Sequence, residues 1–290
     1  MYDTDVLIVG AGPSGLTLAA SLVKKGVATT EVDRQPAGAN TSRAAVVNAR
    51  TLEVLEDLDV SRRLVKEGVQ APRFTIRDGR RTLIPIDFSA LPTDYPYSLM
   101  VPQDTTERLL LDRLTELGGT VIRPKTLTSI SQDADGVTAT FDDGDVIRAR
   151  YVVGADGIHS TVREQAGIGF EGGVYDESFM LADVQLRGEA PVDEVILFWA
   201  RAGLTVVAPL PGEIFRIVAP VADAPEEPSA SLSSRSSTTV GPVPGGWSSP
   251  MSSGGHASAS TTGSPTRTAL GACCCPATPP MCTAPPEGRA

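Results

Sequence analysis

Residues 1–228 contain no cysteine, one histidine and one tryptophan; Cys273, Cys274, Cys275, Cys282, His256 and Trp247 all follow them. Without cysteine, this region has neither disulfides nor a thiol nucleophile. The Cys273-Cys274-Cys275 triplet has no metal-ligand spacing, so no metal is expected. Positive charge is scarce as well: 25 Lys and Arg face 35 Asp and Glu, a net charge of −10 and a pI near 4.8. That balance gives nucleic acid and anionic membrane no electrostatic reason to bind, and fits a small molecule better. Long apolar runs are missing too, since Leu16 to Val23 stops at Lys24-Lys25, short of a bilayer span. Met1 to Asp5 lacks the basic start of a targeting signal, so the expected location is cytoplasmic. Nothing in the sequence speaks to oligomeric state.

What is present changes character near Pro228. Of the 62 residues from Ser229 to Ala290, 46 are Ser, Thr, Pro, Gly or Ala, and 4 are Leu, Ile, Val or Phe. Such a segment cannot bury a core and is expected to be a low-complexity, disordered tail. Residues 1–228 hold 22 basic against 34 acidic residues, so the core-forming part is the more acidic one. The chain as a whole has length for about two domains.

Asp5 to Val9 is a continuous apolar run ending at glycine, the mark of a parallel strand buried on both faces. Ser14 to Lys25 has helical spacing, with Leu16, Ala19, Ala20 and Val23 on one face and Gly26 as the stop. Val27 to Asp33 is the next strand, completing a right-handed βαβ unit. Helices are predicted at Ala44 to Asp57, Val60 to Glu67 and Thr105 to Leu117, the last with Asp104 and Glu107 as a capping box. Between Val121 and Val153 the period becomes two, predicting an antiparallel ribbon that turns at Asp142-Asp143-Gly144. It feeds a buried strand, Tyr151 to Gly154, with a helix from Ser160 to about Ala166. Strands at Phe179 to Leu186, Glu194 to Trp199, Leu204 to Pro209 and Ile214 to Val218 would begin a second domain. Phe198 and Trp199 are candidates for core or for a pocket wall.

The chemistry lies in Gly10-Ala11-Gly12-Pro13-Ser14-Gly15. The first turn of a helix presents unpaired N–H groups and the positive end of its dipole to an anion. Gly10 permits the tight turn, Gly12 lets backbone approach a pyrophosphate, and Gly15 lets helix and strand pack closely. Asp33 follows Gly15 by 18 residues, near the spacing of a ribose-binding acid. Glu31 shares its strand parity and is the alternative ribose partner. An acid here disfavours a 2′-phosphate on the loop. NAD and FAD are not separated by this pattern alone.

A second glycine-acid turn, Gly154-Ala155-Asp156-Gly157-Ile158-His159-Ser160-Thr161-Val162-Arg163, gives the sequence its wider likeness. Together with the loop, Ser42-Arg43, Asn48 to Glu53 and Val101-Pro102-Gln103-Asp104, it resembles the para-hydroxybenzoate hydroxylase-like FAD-dependent aromatic hydroxylases from Asp5 to about Pro228. The resemblance implies an α/β fold: a Rossmann-like FAD-binding domain over 1–174, with residues about 70–100 contributing to a substrate domain. Part of that antiparallel substrate-domain sheet would span 175–228, and the tail 229–290. It implies that Gly10, Gly12, Pro13, Ser14, Gly15, Asp33 and Arg34 serve the ADP half of FAD. Arg43 and Gln103 would contact flavin or pyrophosphate, Asp156 and Gly157 both FAD and the nicotinamide donor, and His159 and Arg163 the nicotinamide nucleotide. Each has a structural alternative: surface pairing with Glu53 and Glu56 for Arg43 and Arg50, helix entry for Gln103 and His159, and pairing with Glu164 or Asp156 for Arg163. The reaction implied is hydroxylation of an aromatic or polyketide-type ring with NADH or NADPH and O₂, through a flavin hydroperoxide. The cofactor then carries the difficult step, in keeping with a region holding one histidine and no cysteine. No residue is assigned as a catalytic acid or base. A halogenase on this scaffold would carry a Trp-containing motif and a lysine that are not found, and an inactive, truncated nucleotide-binding fragment is the alternative of another class.

The family's sequence would continue to Gly-Asp-Ala-Ala-His and Pro-x-Gly-Gly-Gln-Gly, which the protein does not contain as written. Joining the third base of each codon to the first two of the next lets Pro276 to Ala290 read Gly-Asp-Ala-Ala-His-Val-His-Ser-Pro-Ala-Gly-Gly-Gln-Gly. A single-base slip near Ala230 or Ser231 is therefore expected to have put the tail out of frame.

Overall fold

The structure, a computed structural model, describes residues 2–38, 44–173, 178–186, 190–200, 203–221, 260–262 and 273–275. In chain order the elements are β1 (Thr4–Val9), α1 (Pro13–Lys24), β2 (Thr29–Val32), β3 (Val46–Val47), α2 (Ala49–Glu56), α3 (Ser61–Glu67), β4 (Val69–Ala71), β5 (Arg73–Asp78) and β6 (Arg81–Asp87). They continue with β7 (Ser98–Met100), α4 (Gln103–Glu116), β8 (Val121–Ile122), β9 (Leu127–Gln132), β10 (Val137–Phe141), β11 (Val146–Gly154) and α5 (Thr161–Gln165). The remainder are β12 (Ser178–Val184), β13 (Glu194–Ala200), β14 (Gly203–Leu210), β15 (Ile214–Val221), β16 (Ser260–Thr262) and β17 (Cys273–Cys275). Two compact units result: one from Met1–Gly38, Leu110–Glu171 and Ala269–Ala290, the other from Ala39–Leu109 and Gly172–Thr268.

The first unit is built on a sheet of order β8-β2-β1-β11-β10-β9. β8, β2, β1 and β11 run parallel, and β9, β10 and β11 form the antiparallel ribbon. β11 therefore serves both halves, pairing its start with β10 and its end with β1. Leu7 and Ile8 on β1 are fully buried on opposite faces, each contributing about 1.5–3 kcal/mol relative to exposure. Leu7, Val9, Val32, Val137, Phe141, Val152 and Val162 share one cluster. Helix α1 starts with Pro13, which costs nothing where the N–H is unpaired anyway, and buries Leu16, Ala19 and Ala20. It stops where Gly26 takes a φ of +75°, as expected.

The second unit holds a sheet of order β16-β12-β15-β14-β13-β5-β6, antiparallel except at β13–β5, and a small sheet β3-β7-β4. Alternation along β13 sends Val195 and Leu197 to one cluster and Ile196 and Phe198 to another. Phe198 is thus core, whereas Trp199 is 62% exposed. Two charges are buried here with full compensation. Arg77 Nη2 donates to both oxygens of Glu194 at 2.7 and 2.8 Å, and Thr75 donates to the same carboxylate. Arg216 grips Asp183 through Nε and Nη2, each at 2.8 Å.

Three sequence expectations need correction. Ala44 to Val47 is not helical: β-branched Val46 and Val47 pair with β7, and the helix begins after Asn48. The capping box fails because α4 starts at Gln103, which places Asp104 within the first turn and leaves Glu107 to accept from the Gln103 side chain at 2.8 Å. Val121–Ile122 is not part of the ribbon but a parallel partner of β2, a long-range pairing that a two-residue strand cannot announce. Of the tail from residue 229 onward, only β16 and β17 are described, pairing with β12 and β11, and the expectation of disorder otherwise lies outside the described residues.

Candidate cofactor site

The carboxyl ends of four parallel strands gather most of the residues singled out in the first unit. The ends of β1 and β11 lie side by side, with Val9 opposite Gly154, and the Ala155 N–H donates to the Val9 carbonyl at 2.7 Å. The two glycine turns are therefore neighbours. Gly10 has a φ of +105°, and a Cβ on it would lie 2.4 Å from the Ala155 carbonyl oxygen. A Cβ on Gly15 would come to 1.9 Å from the Gly10 carbonyl oxygen, so helix and loop close on each other only without side chains. Gly12 differs: nothing lies within 4 Å of its hypothetical Cβ.

Gly12 is also the N-cap of α1, with no side-chain cap. No side-chain oxygen caps the first turn, and the space beside Gly12 is empty, so the helix start can offer its N–H groups to an anion. Asp33, at the end of β2 and partly exposed, accepts from the Ala11 N–H at 2.6 Å and the Gln35 N–H at 2.7 Å. Arg34 beside it is exposed. Glu31, the alternative ribose partner, is only 1% exposed and is shut beneath the loop, unable to reach an external ribose.

At the second turn, Asp156 works as an organiser. Its carboxylate accepts from Ser160 Oγ at 2.5 Å and from the Thr161 and Val162 N–H groups at 2.7 and 3.3 Å. Ser160 in turn caps α5 by accepting the Arg163 N–H at 3.1 Å. Gly157, with a φ of +83°, and His159 are exposed. Arg163 is engaged by the Ile158 carbonyl at 2.9 Å, the Phe170 ring at 4.4 Å and Glu164 at 3.9 Å, in line with the ion pair weighed from sequence.

Gln103 belongs to the second unit. Its Oε1 accepts from the Ala44 N–H at 3.4 Å, its own N–H donates to the Ala44 carbonyl at 3.1 Å, and Arg216 Nη1 reaches that carbonyl at 3.4 Å. Arg43 lies outside the described residues. Two participants escaped sequence reading. Arg216 could have been noticed as a charge inside an apolar strand, but Arg123, whose Nη2 donates to the Ala11 carbonyl at 3.2 Å, carries no local signal. Among the described residues no group of His, Cys, Asp and Glu is arranged to hold a metal, and no helix is long and apolar enough to cross a membrane.

An open, uncapped loop backed by an acid fits the ADP half of a flavin dinucleotide, and the family model for an FAD binding domain matches residues 3–233. The chain belongs to this FAD binding domain family. It is 34% identical over 226 residues to pentachlorophenol 4-monooxygenase from Sphingobium chlorophenolicum, covering 74% of this chain and 42% of that protein. It is 37% identical over 231 residues to dialkyldecalin synthase from Streptomyces rugosporus, covering 79% and 48%. The solved structure of OxyS anhydrotetracycline hydroxylase from Streptomyces rimosus superposes with a TM-score of 0.63 at 34% identity, over 77% of this chain and 46% of that one. The chain spans less than half the length of the curated relatives it matches. The α/β fold with a parallel cofactor-binding sheet and an antiparallel second sheet, expected from sequence, is the family's fold.

Proposed function

We propose that residues 1–174 hold the FAD-binding domain of a monooxygenase, with residues about 70–100 contributing to the substrate domain whose sheet continues in 175–228. Its reaction would be hydroxylation of an aromatic or polyketide-type ring with NADH or NADPH and O₂. The observation that carries this reading is the loop itself: Gly12 open and uncapped at the start of α1, with Asp33 holding Ala11 from behind. When bound, FAD supplies the electron transfer and oxygen activation. The chain's own groups bind and orient it. The N–H groups of the first turn of α1 would hold the pyrophosphate and Asp33 the adenosine ribose, with Pro13, Ser14 and Arg34 beside them. Asp156 shapes the turn that would bring Gly157 backbone to the cofactor, with His159 and Arg163 toward the nicotinamide donor. The acid at residue 33 disfavours a 2′-phosphate on this loop.

The same proposal extends to the tail. The family match ends at residue 233, beside Ala230 and Ser231, where the base slip was placed from codon structure. The shifted frame supplies the Gly-Asp-Ala-Ala-His segment that the printed frame lacks. Resequencing the gene across this point is expected to restore the frame, and an intact frame encoding the Ser-rich tail would sink the slip. The restored protein should purify yellow with stoichiometric FAD and show substrate-stimulated NAD(P)H oxidation, whereas the chain as written should retain little FAD. A restored protein without flavin would overturn the cofactor reading. A second reading, another reaction on the same scaffold, is favoured by the likeness to dialkyldecalin synthase. Oxygen uptake coupled to NAD(P)H decides between them.

A further inference from the structure

Two buried polar groups lie unsatisfied at the back of the glycine loop. Glu31 on β2 is 1% exposed, and neither of its carboxyl oxygens has a hydrogen-bond partner. A Cβ on Gly15 would lie 2.9 Å from Glu31 Oε1, so this carboxyl is packed beneath the first turn of α1. Arg123 follows β8, which pairs with β2. Its buried Nε has no partner, and its Nη2 donates to the Ala11 carbonyl. Ala11 is thus held on both sides, its N–H by Asp33 and its carbonyl by Arg123. Two successive peptide planes leading into Gly12 are fixed in this way.

Burial pushes the Glu31 carboxyl up to about 8; Arg123 opposes this and Asp33 adds to it. Those are the charged groups acting on it, since α1 faces it with Gly15. Around neutral pH burial therefore favours the uncharged form of the Glu31 carboxyl beneath the loop.

We propose that Arg123 is a further cofactor-positioning residue, fixing the glycine loop through the Ala11 carbonyl on the side opposite Asp33 so that the loop is set to receive a dinucleotide pyrophosphate. The proposal rests on the reading of this loop as the FAD site.

The frame-restored protein is titrated with FAD, and separately with ADP, at fixed pH and ionic strength. Arg123→Gln should weaken both ligands about tenfold, about 1.4 kcal/mol, with part of the loss recovered in Arg123→Lys. In ligand-free chains, Arg123→Gln should speed amide hydrogen exchange across Gly10 to Gly15, independently of any ligand. If the frame-restored protein binds neither FAD nor ADP, the cofactor reading fails while exchange still judges the loop contact. Unchanged exchange in Arg123→Gln, or unchanged affinity for both ligands, overturns the proposal.

Discussion

The buried arginines of the second unit and the groups behind the glycine loop of the first are met in opposite ways. In the second, Arg77 and Arg216 each meet a carboxylate through two hydrogen bonds, so their charges are spent inside the sheet. In the first, Gly12 leaves α1 uncapped, Glu31 has no partner, and Arg123 touches only a carbonyl. Charges paired as in the second unit hold a sheet together. A unit that leaves donors and a cation open at the carboxyl ends of parallel strands is built around a ligand.

The sharpest way to break this contrast is within the loop. Gly15→Ala places a carbon 1.9 Å from the Gly10 carbonyl oxygen, and should cost more than about 4 kcal/mol in thermal unfolding as well as abolishing FAD binding. Gly12→Ala meets nothing, so its melting temperature should stay within about 2 °C while FAD affinity falls at least about tenfold. Equal losses of stability in both variants would show that Gly12 is structural and the loop no open cradle.

A second effect tests the unpaired carboxyl. The folded Glu31 sits at about 8, above the ordinary 4.5 of an unfolded chain. The folded form therefore binds the extra proton between these values, and stability falls as pH rises through that window. Glu31→Gln should match wild type below pH 4.5 and exceed it by on the order of 2–5 kcal/mol above pH 8, read from denaturant unfolding at several pH values. A constant difference across pH would remove Glu31 from the account.

In the second unit, Arg216→Ala leaves Asp183 without its partner. With the Asp183 side chain one-third exposed, the loss should be about 2–3 kcal/mol, below that of a fully enclosed pair. The smallest effect is expected at the surface, where Arg50→Ala removes an exposed pair with Glu53 and should shift the melting temperature by about 1 °C or less. A large loss there would mean that α2 is held by charge, contrary to the division drawn between the units.

Much of this arrangement could be read along the chain. The helical face of α1, its stop at Gly26 and the four strands from Ser178 to Val221 came from periodicity and glycine. Asp156 was legible as part of a glycine-acid turn, though its work as an organiser of α5 was visible only in its three accepted hydrogen bonds. Ala44 to Val47 misled because a helical pattern over eight good positions was extended back across two valines that tertiary pairing with β7 claims. Glu31 misled in another way, since parity put it on the ligand side without showing that α1 would cover it.

The sequence by itself determined the glycine loop, the acid behind it and the break near Pro228. These depend on properties each residue carries locally: allowed φ, the size of a side chain and apolar content. Only the tertiary structure decided that Arg123 stands behind Ala11 and that Glu31 is enclosed. Both follow from β8 pairing with β2, where Val121 meets Glu31. That pairing joins distant stretches of chain through backbone hydrogen bonds that any sequence can make, so side-chain pattern does not announce it.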